Sequence, residues 1–346
     1  MKTLSIIIPM YNAEQYIERT IRSIIRNDSP ELELIIVDDG STDNGAEIAK
    51  SILNASNHRM THSVISSENQ GVSIARNRGI SASTGEYILF CDSDDELLPG
   101  LAERILSIRG SAYDFVFWPF INEKDGRTNT TKSLQSAGAL SRNDALDMYL
   151  FREYKLRLGS FAVKRNVVES HNIKFTDSCQ IGEDIEFILK CLLHSEKVYT
   201  LESPYYIYHR HEGSLAYSYN IRRFEASNAI SRIYEYYCNS VLRSKLSPLT
   251  HKQADYIHNG LFILHTMYAL DSCLDYITKP SELHKLSRII KELYPNLASL
   301  INTKLSQMKI SPPEYPARRI HLLKVGFPIY IHLTGIHNLL QKKRTR

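Results

Sequence analysis

Sulfur chemistry is the first thing this sequence of 346 residues lacks. Its five cysteines (Cys91, Cys179, Cys191, Cys238, Cys273) form no CxxC pair, and an odd number so spaced indicates neither a disulfide framework nor a thiolate zinc site. A reducing, cytoplasmic setting is expected. The opening MKTLSIIIPMYN has no long apolar core and no small-residue cleavage site, because Pro9 and Asn12 cut it short, so no export signal is read there. Where a nucleotidyltransferase would carry a glycine-rich phosphate loop after its first strand, this chain has PMYNAEQY. No nucleic-acid-binding module is visible, and nucleic acid is not an expected partner.

What is present is globular. With 43% hydrophobic and 23% charged residues, the chain can bury a full core as one large domain or two to three smaller units. Its net charge of +4 hides an asymmetry: from residue 301 onward nine Lys or Arg face one acid, Glu314, leaving 33 basic against 37 acidic groups in the first 300 residues.

The N-terminal hundred residues alternate strand and helix patterns. LSIIIP (4–9) is a continuous apolar run, as expected of a parallel strand covered on both faces. Asn12 and Gln15 have capping-box spacing, and Ile17, Ile21, Ile24 and Ile25 come next at helical period. LELIIV (32–37) is the next strand, SVIS (63–66) a weaker one, and EYILFC (86–91) leads into CDSDDELLPG. The pattern predicts an α/β chain with an open, doubly wound, mostly parallel sheet. Ligands of such sheets lie beyond the carboxyl ends of the strands. Three polar clusters fall there: Pro9 to Asn12, Asp38 to Ser41, and Asp92 to Asp95. Carboxylates so crowded are tolerated around a divalent cation. The plainer alternatives are that Asp95 caps a helix near Pro99 and that Asp38-Asp39-Gly40-Ser41 is a turn. YDFVFWPF (113–120) reads as one further strand, residues 122–138 as a loop, and Trp118 lies in the core or lines the side that this loop covers.

SIIIPMYNAEQYIERTIRSI, ELIIVDDGSTD, NQGVSIARNRGISASTGEYILFCDSDD and, later, GEDIEFILKCLL together resemble the family-2 glycosyltransferases, inverting enzymes of GT-A fold, over roughly residues 4 to 215. The resemblance implies a nucleotide site bordered by Pro9, Tyr11 and Glu14, with Asp39 accepting from a uracil imide. It puts Arg76 near the base and phosphates, Asp92 and Ser93 toward the ribose, and Asp94 on a Mn²⁺ or Mg²⁺ that bridges the diphosphate, with Asp95 joining through water. In IGEDIEF (181–187), Asp184 corresponds to the catalytic base and Glu183 to an acceptor contact. Acids in the first turn of a helix also interact favourably with its dipole. YYIYHRHEGSLAYS (205–218) is similar to the family's segment over the diphosphate but departs from it: His209 stands where an arginine is usual, with Arg210 and His211 beside it. His209 and Arg210 are phosphate contacts on this reading, and His211 is either a third metal ligand or an exposed side chain.

The resemblance implies transfer of a sugar from a nucleotide-diphosphate donor, UDP-linked, to a hydroxyl of a glycan or lipid-linked acceptor in bacterial surface-polysaccharide synthesis. The alternative is a non-catalytic nucleotide-sugar-binding or assembly module. Four regions are expected: a nucleotide-sugar half (1–110), a catalytic-base and acceptor half (111–218), a helical region (219–310) that could also serve homo-oligomerisation, and a basic amphipathic tail (311–346). The tail is too interrupted by Lys324 and Pro328 to span a bilayer. Ile329, Leu333, Ile336 and Leu340 form an apolar stripe ahead of KKRTR, which suits either an anionic membrane surface or docking on the protein's own core.

Overall fold

Seven consecutive buried residues make up each of two strands, β1 (Leu4–Met10) and β2 (Leu32–Asp38), as continuous apolar runs covered on both faces require. The computed structural model describes residues 2–132, 137–151, 153–177, 179–210, 220–243, 246–312, 317–325 and 327–344. Two units are present: Met1–Tyr149 with Glu153–His211, and Leu150–Arg152 with Glu212–Arg346.

In the first unit, β1, α1 (Ile17–Ile25), β2, α2 (Gly45–Ala55), β3 (Thr61–Ser66), α3 (Val72–Ala82) and β4 (Tyr87–Phe90) alternate along the chain. Next come β5 (Glu96–Leu97), α4 (Leu101–Ser107), β6 (Phe115–Phe117), β7 (Phe120–Lys124), β8 (Arg127–Thr130), β9 (Gly138–Ser141) and α5 (Arg142–Leu150). The unit closes with β10 (Phe161–Lys164), α6 (Arg165–Ser170), α7 (Glu183–His194), β11 (Lys197–Thr200) and β12 (Tyr206–Arg210). The main sheet has the order β3-β2-β1-β4-β10-β6-β11-β9, and a smaller one the order β5-β12-β7-β8. Strands β3, β2, β1 and β4 are parallel, while β10 runs antiparallel to both its neighbours. This is the doubly wound, mostly parallel sheet expected.

Pairing of β1 with β4 ends at Ile7 opposite Phe90, whereas β1 stays paired with β2 through Met10 opposite Asp38. β1 therefore outlasts β4, at the switch point of strand order where open sheets of this kind have their ligand crevice. Pro9, which has no N–H to donate, sits beyond the last β4 partner, where the missing donor costs no ladder bond to that strand.

Three local expectations are corrected. Asn12 does not cap α1: its backbone is left-handed (φ 49°), and its Oδ1 accepts from Thr42 N–H at 2.8 Å, latching the first loop to the second. YDFVFWPF is not one strand, because β6 belongs to the main sheet and β7 to the small one. Residues 122–138 are not all loop, since β7 and β8 form a hairpin turned at Asp125 and Gly126, both of positive φ. Trp118 is fully buried, and its Nε1–H donates to Gly159 O at 3.2 Å.

The second unit is helical: α8 (Glu225–Leu242), α9 (His251–Asp255), α10 (Leu261–Leu274), α11 (Pro280–Leu293), α12 (Leu297–Gln307), α13 (Ala317–Val325) and α14 (Phe327–Arg344), with a π-helical turn, Tyr256–Gly260, joining α9 to α10. Thr250 and Gln253 form a reciprocal capping box ahead of α9. The last two helices dock on this unit's own core. Ile320, Leu323, Tyr330 and Ile331 are buried, and Arg319 clasps Asp271 through two hydrogen bonds of 2.9 and 2.6 Å. Of the expected apolar stripe, Leu333 and Ile336 remain 49% and 44% exposed. Among the described residues no helix is long and apolar enough to cross a membrane.

One buried acid aligns three strands of the first unit. Glu33 on β2 accepts from Ser5 Oγ on β1 and from the Thr84 and Gly85 N–H groups leading into β4. Burial alone would raise its pKa, but these hydrogen bonds outweigh burial and hold it below the ordinary 4.5. A depressed folded-state pKa means stability that is present above the unfolded value and lost as pH falls through the folded one. Glu33→Gln is expected to cost about 1–3 kcal/mol at neutral pH, shrinking below about pH 4; urea denaturation at pH 7 and pH 3 checks both.

Candidate active site

The acid cluster hangs from the end of β4 and is braced by α1. Beyond the apolar face of α1 lies a second, polar one: Thr20 Oγ1 donates to Ser93 O at 2.9 Å, Ser23 Oγ accepts from Leu97 N–H at 3.0 Å, and Asn27 Nδ2 donates to Leu98 O at 3.1 Å. Arg19 Nη2 donates to Asp94 O at 2.6 Å. The spacing of Thr20, Ser23 and Asn27 along one helix face is the signal by which sequence reasoning could have found this brace, but attention to the isoleucines hides it.

The three aspartates differ. Asp92 and Asp94 are half-buried. Asp95 is fully buried; it caps no helix, since α4 starts after Gly100. Instead it accepts from Tyr206 Oη and from His209 N–H (2.8 Å) on β12. Burial first, then the charges of Asp94 and Asp92, push its pKa well above the ordinary carboxylate range. The β5–β12 pairing runs alongside this contact, so the acid loop and β12 are tied at two points.

Arg76 is 4% exposed and lies between the two acidic motifs. Its Nη2 donates to Asp92 Oδ1 at 2.9 Å and its Nη1 to Glu183 Oε1 at 3.1 Å. Burial opposes its charge, but the two carboxylates more than compensate and raise its pKa. Below it an aromatic trio joins the same elements: Phe175 and Phe187 stack at 4.2 Å, and Phe90 meets both edge-on at 5.2 and 5.4 Å. Gly182 precedes α7 with φ 94°, a backbone that a side chain would strain, and so Glu183 and Asp184 open the helix side by side. Glu183 is pushed up to about 7 by burial and by Asp184, against the pull of Arg76. Asp184 is half-buried, its Oδ1 accepting from Ile185 N–H at 2.8 Å, and among the described residues it meets no cation within ion-pair distance.

Of the other expected residues, Tyr11 is 51% exposed at the end of β1 and presents an aromatic face to solvent. Glu14 Oε2 accepts from Asn44 N–H at 3.1 Å at the start of α2. Asp39 is buried and accepts from the N–H groups of Gln70 (2.9 Å) and Gly71 (2.7 Å), fixing the turn that begins α3. His209 has both ring nitrogens against carboxylates, Nδ1 2.9 Å from Glu123 and Nε2 3.0 Å from Glu96, which directs it into the small sheet. Arg210 is the last residue of β12. His211 lies outside the described residues. Among those described, no three His, Cys, Asp or Glu side chains are grouped as a metal cage. The half-buried Asp94 carboxylate, beside two further acids, would suit a hard divalent cation, which takes oxygen ligands.

A family model described as "Glycosyl transferase family 2" matches residues 5–171. These residues form a glycosyl transferase family 2 domain. Among its curated relatives are the "Putative glycosyltransferase EpsH" of Bacillus subtilis (strain 168), 29% identical over 66% of this chain and 66% of its own length, and the "Poly(ribitol-phosphate) beta-N-acetylglucosaminyltransferase TarP" of Staphylococcus aureus (strain N315), 28% identical over 67% of this chain and 66% of its own. The match spans just under two thirds of each relative's length. The structure of S. aureus TarS 1-349 in complex with UDP-GlcNAc is similar over 99% of this chain and 92% of that one, with a TM-score of 0.68 at 20% identity, and this establishes the GT-A fold.

The Arg76 bridge has two testable outcomes. Arg76→Met leaves two acids facing each other without their cation and is expected to cost about 3–5 kcal/mol in urea unfolding, with Arg76→Lys between it and wild type. Because the Glu183 pKa is raised from 4.5 to about 7, the folded state holds that proton more tightly, and Glu183 lowers stability as pH rises across this window. Unfolding of Glu183→Gln and wild type should therefore shift in favour of the variant between pH 5 and pH 8.

Proposed function

We propose that this protein transfers a sugar from a UDP-linked donor to a hydroxyl of a cell-surface glycan or lipid-linked acceptor, with inversion at the anomeric carbon. The observation that carries this reading is the Arg76 bridge, which sets the strand-end acids and the Glu183-Asp184 pair at one crevice of the fold. TarS, whose fold this chain shares, has been captured with UDP-GlcNAc, and TarP is named for transfer of N-acetylglucosamine to poly(ribitol phosphate). Both support a UDP-sugar donor and a surface-polymer acceptor.

Two carboxylates side by side divide the work. Glu183 is held by Arg76 and fixes the helix start, while Asp184, which no cation of the described residues engages, is the proton acceptor. The acceptor oxygen bonds to the anomeric carbon as the bond from that carbon to the β-phosphate oxygen breaks. The hydroxyl proton passes to Asp184 and the electron pair leaves with UDP. Attack opposite the leaving group converts an α-linked donor to a β-glycoside. Tyr11 supplies an aromatic face for the base, and Asp92 stands toward the ribose. Asp94 would hold Mn²⁺ or Mg²⁺ with the diphosphate, and the ion, when bound, would offset charge on the departing phosphate.

The exposed Leu333 and Ile336 on α14, together with the basic excess beyond residue 301, support adsorption of this helix to an anionic membrane surface. Removing the helix would strip buried Tyr330 and Ile331 from the core. The suitable test is Leu333→Glu with Ile336→Glu, which should reduce co-sedimentation with phosphatidylglycerol vesicles; unchanged binding refutes this role.

The transfer reading is tested by UDP release from UDP-GlcNAc and other UDP-sugars with Mn²⁺ and a surface-polymer acceptor. Asp184→Asn should lower turnover by about 10²–10⁴-fold while leaving UDP affinity within about threefold, a change of well under 1 kcal/mol. UDP binding without turnover in wild type, for every donor, would favour the binding-module alternative.

A further inference from the structure

Among the described residues, Arg157 stacks on aromatic rings and has no carboxylate partner. Its backbone is fixed by a tight turn: Arg157 N–H donates to Ser160 Oγ at 2.8 Å, and Ser160 N–H donates back to Arg157 O at 2.9 Å. Trp118 anchors the same turn from β6's end, its N–H donating to Ser160 O at 3.0 Å and its indole to Gly159 O at 3.2 Å. At Gly159 the turn presses on β12 so closely that a Cβ would stand 2.2 Å from the Tyr206 ring. The Arg157 side chain thus leaves from a rigid point.

Its guanidinium carbon lies 3.6 Å from the Tyr208 ring centroid and 5.7 Å from that of Phe120. Stacking of this kind covers one face of the cation and leaves its N–H edges to point sideways. Arg157 is half-buried, yet among the described residues no carboxylate reaches it within ion-pair distance. Neighbouring arginines differ: Arg19 and Arg26 both engage Glu96, and Arg76 holds two acids. Tyr206 and Tyr208, two apart on β12, share a face, and Tyr206 reaches Asp95, next to Asp94. The turn Leu158–Ser160 also lies against β4, whose end carries Asp92. The turn that carries Arg157 is therefore linked to the strand-end acids through β4 and through Tyr206.

We propose that Arg157 is an anion-binding residue of the substrate crevice, its Tyr208-stacked guanidinium receiving a phosphate group in a forked contact. This rests on the glycosyltransferase reading and adds to it a residue for phosphate recognition. The phosphate has two sources, the donor's diphosphate or a phosphodiester of the acceptor, and the shared chemistry is the same.

Calorimetric titration of wild type, Arg157→Gln and Arg157→Lys with UDP and with a glycerol phosphate trimer, both in Mn²⁺, and saturation-transfer NMR with uridine separate the cases. Arg157→Gln should weaken one anionic probe by about 10-fold or more and leave uridine unchanged. Arg157→Lys, which keeps the charge but not the fork, should fall between. Loss for UDP assigns the contact to the donor, and loss for the trimer alone assigns it to the acceptor. Unchanged affinity for both anions, failure of wild type to bind either, or an equal loss for uridine would overturn the proposal. Thermal unfolding of each variant separates a binding defect from a folding one. Wild type that binds UDP but never turns over would refute the transferase reading while leaving this comparison intact.

Discussion

The site depends on one buried cation. Arg76 extends from α3 into a region where two acidic motifs, far apart in sequence, arrive on separate elements. Without a positive charge there, Asp92 and Glu183 would repel in a medium that screens poorly. With it, their separation is set by the width of a guanidinium. The aromatic trio of Phe90, Phe175 and Phe187 repeats this linkage in apolar form, because Phe90 precedes the first motif and Phe187 lies just past the second. Charge and packing thus specify the same geometry independently.

Side-chain contacts also distinguish the acids. Asp95 and Glu183 are held, one bonded to Tyr206 and the other to Arg76, and both have raised pKa values. Asp94 is the more open of its pair, and Asp184, half-buried like Glu183, bonds only within its own helix start among the described residues. Each motif therefore sets a carboxylate held by a neighbouring side chain next to a second one, an arrangement that adjacent residues achieve readily because they point in different directions.

The strands β1, β2 and β4, the crevice at their carboxyl ends and the positions of the acids in it were legible in the sequence, because continuous apolar runs and clustered polar residues are local signals. What was not legible is cross-chain. The bond from Arg76 to Glu183 joins positions 107 residues apart. Asp95 reads as a cap or a water-linked ligand until Tyr206 arrives from a distant strand. His209 stands where a phosphate-binding arginine is usual, but Glu96 and Glu123 face it from two other strands. The split of YDFVFWPF between two sheets arises from pairing with β11 and β12, which no local pattern in that stretch announces. Asn12 shows a local rule overruled, its side-chain carbonyl taken by Thr42 rather than by its own helix.

The clasp of Asp95 on Tyr206 and on the His209 amide has a consequence for how this protein can diversify. Because β12 is fastened to the acid loop before the chain continues past Arg210, the residues beyond that strand start from a fixed origin. Changes in their length or composition need not disturb the position of Asp94. Selection can therefore alter the downstream chain while the Asp94 loop stays in register with β12.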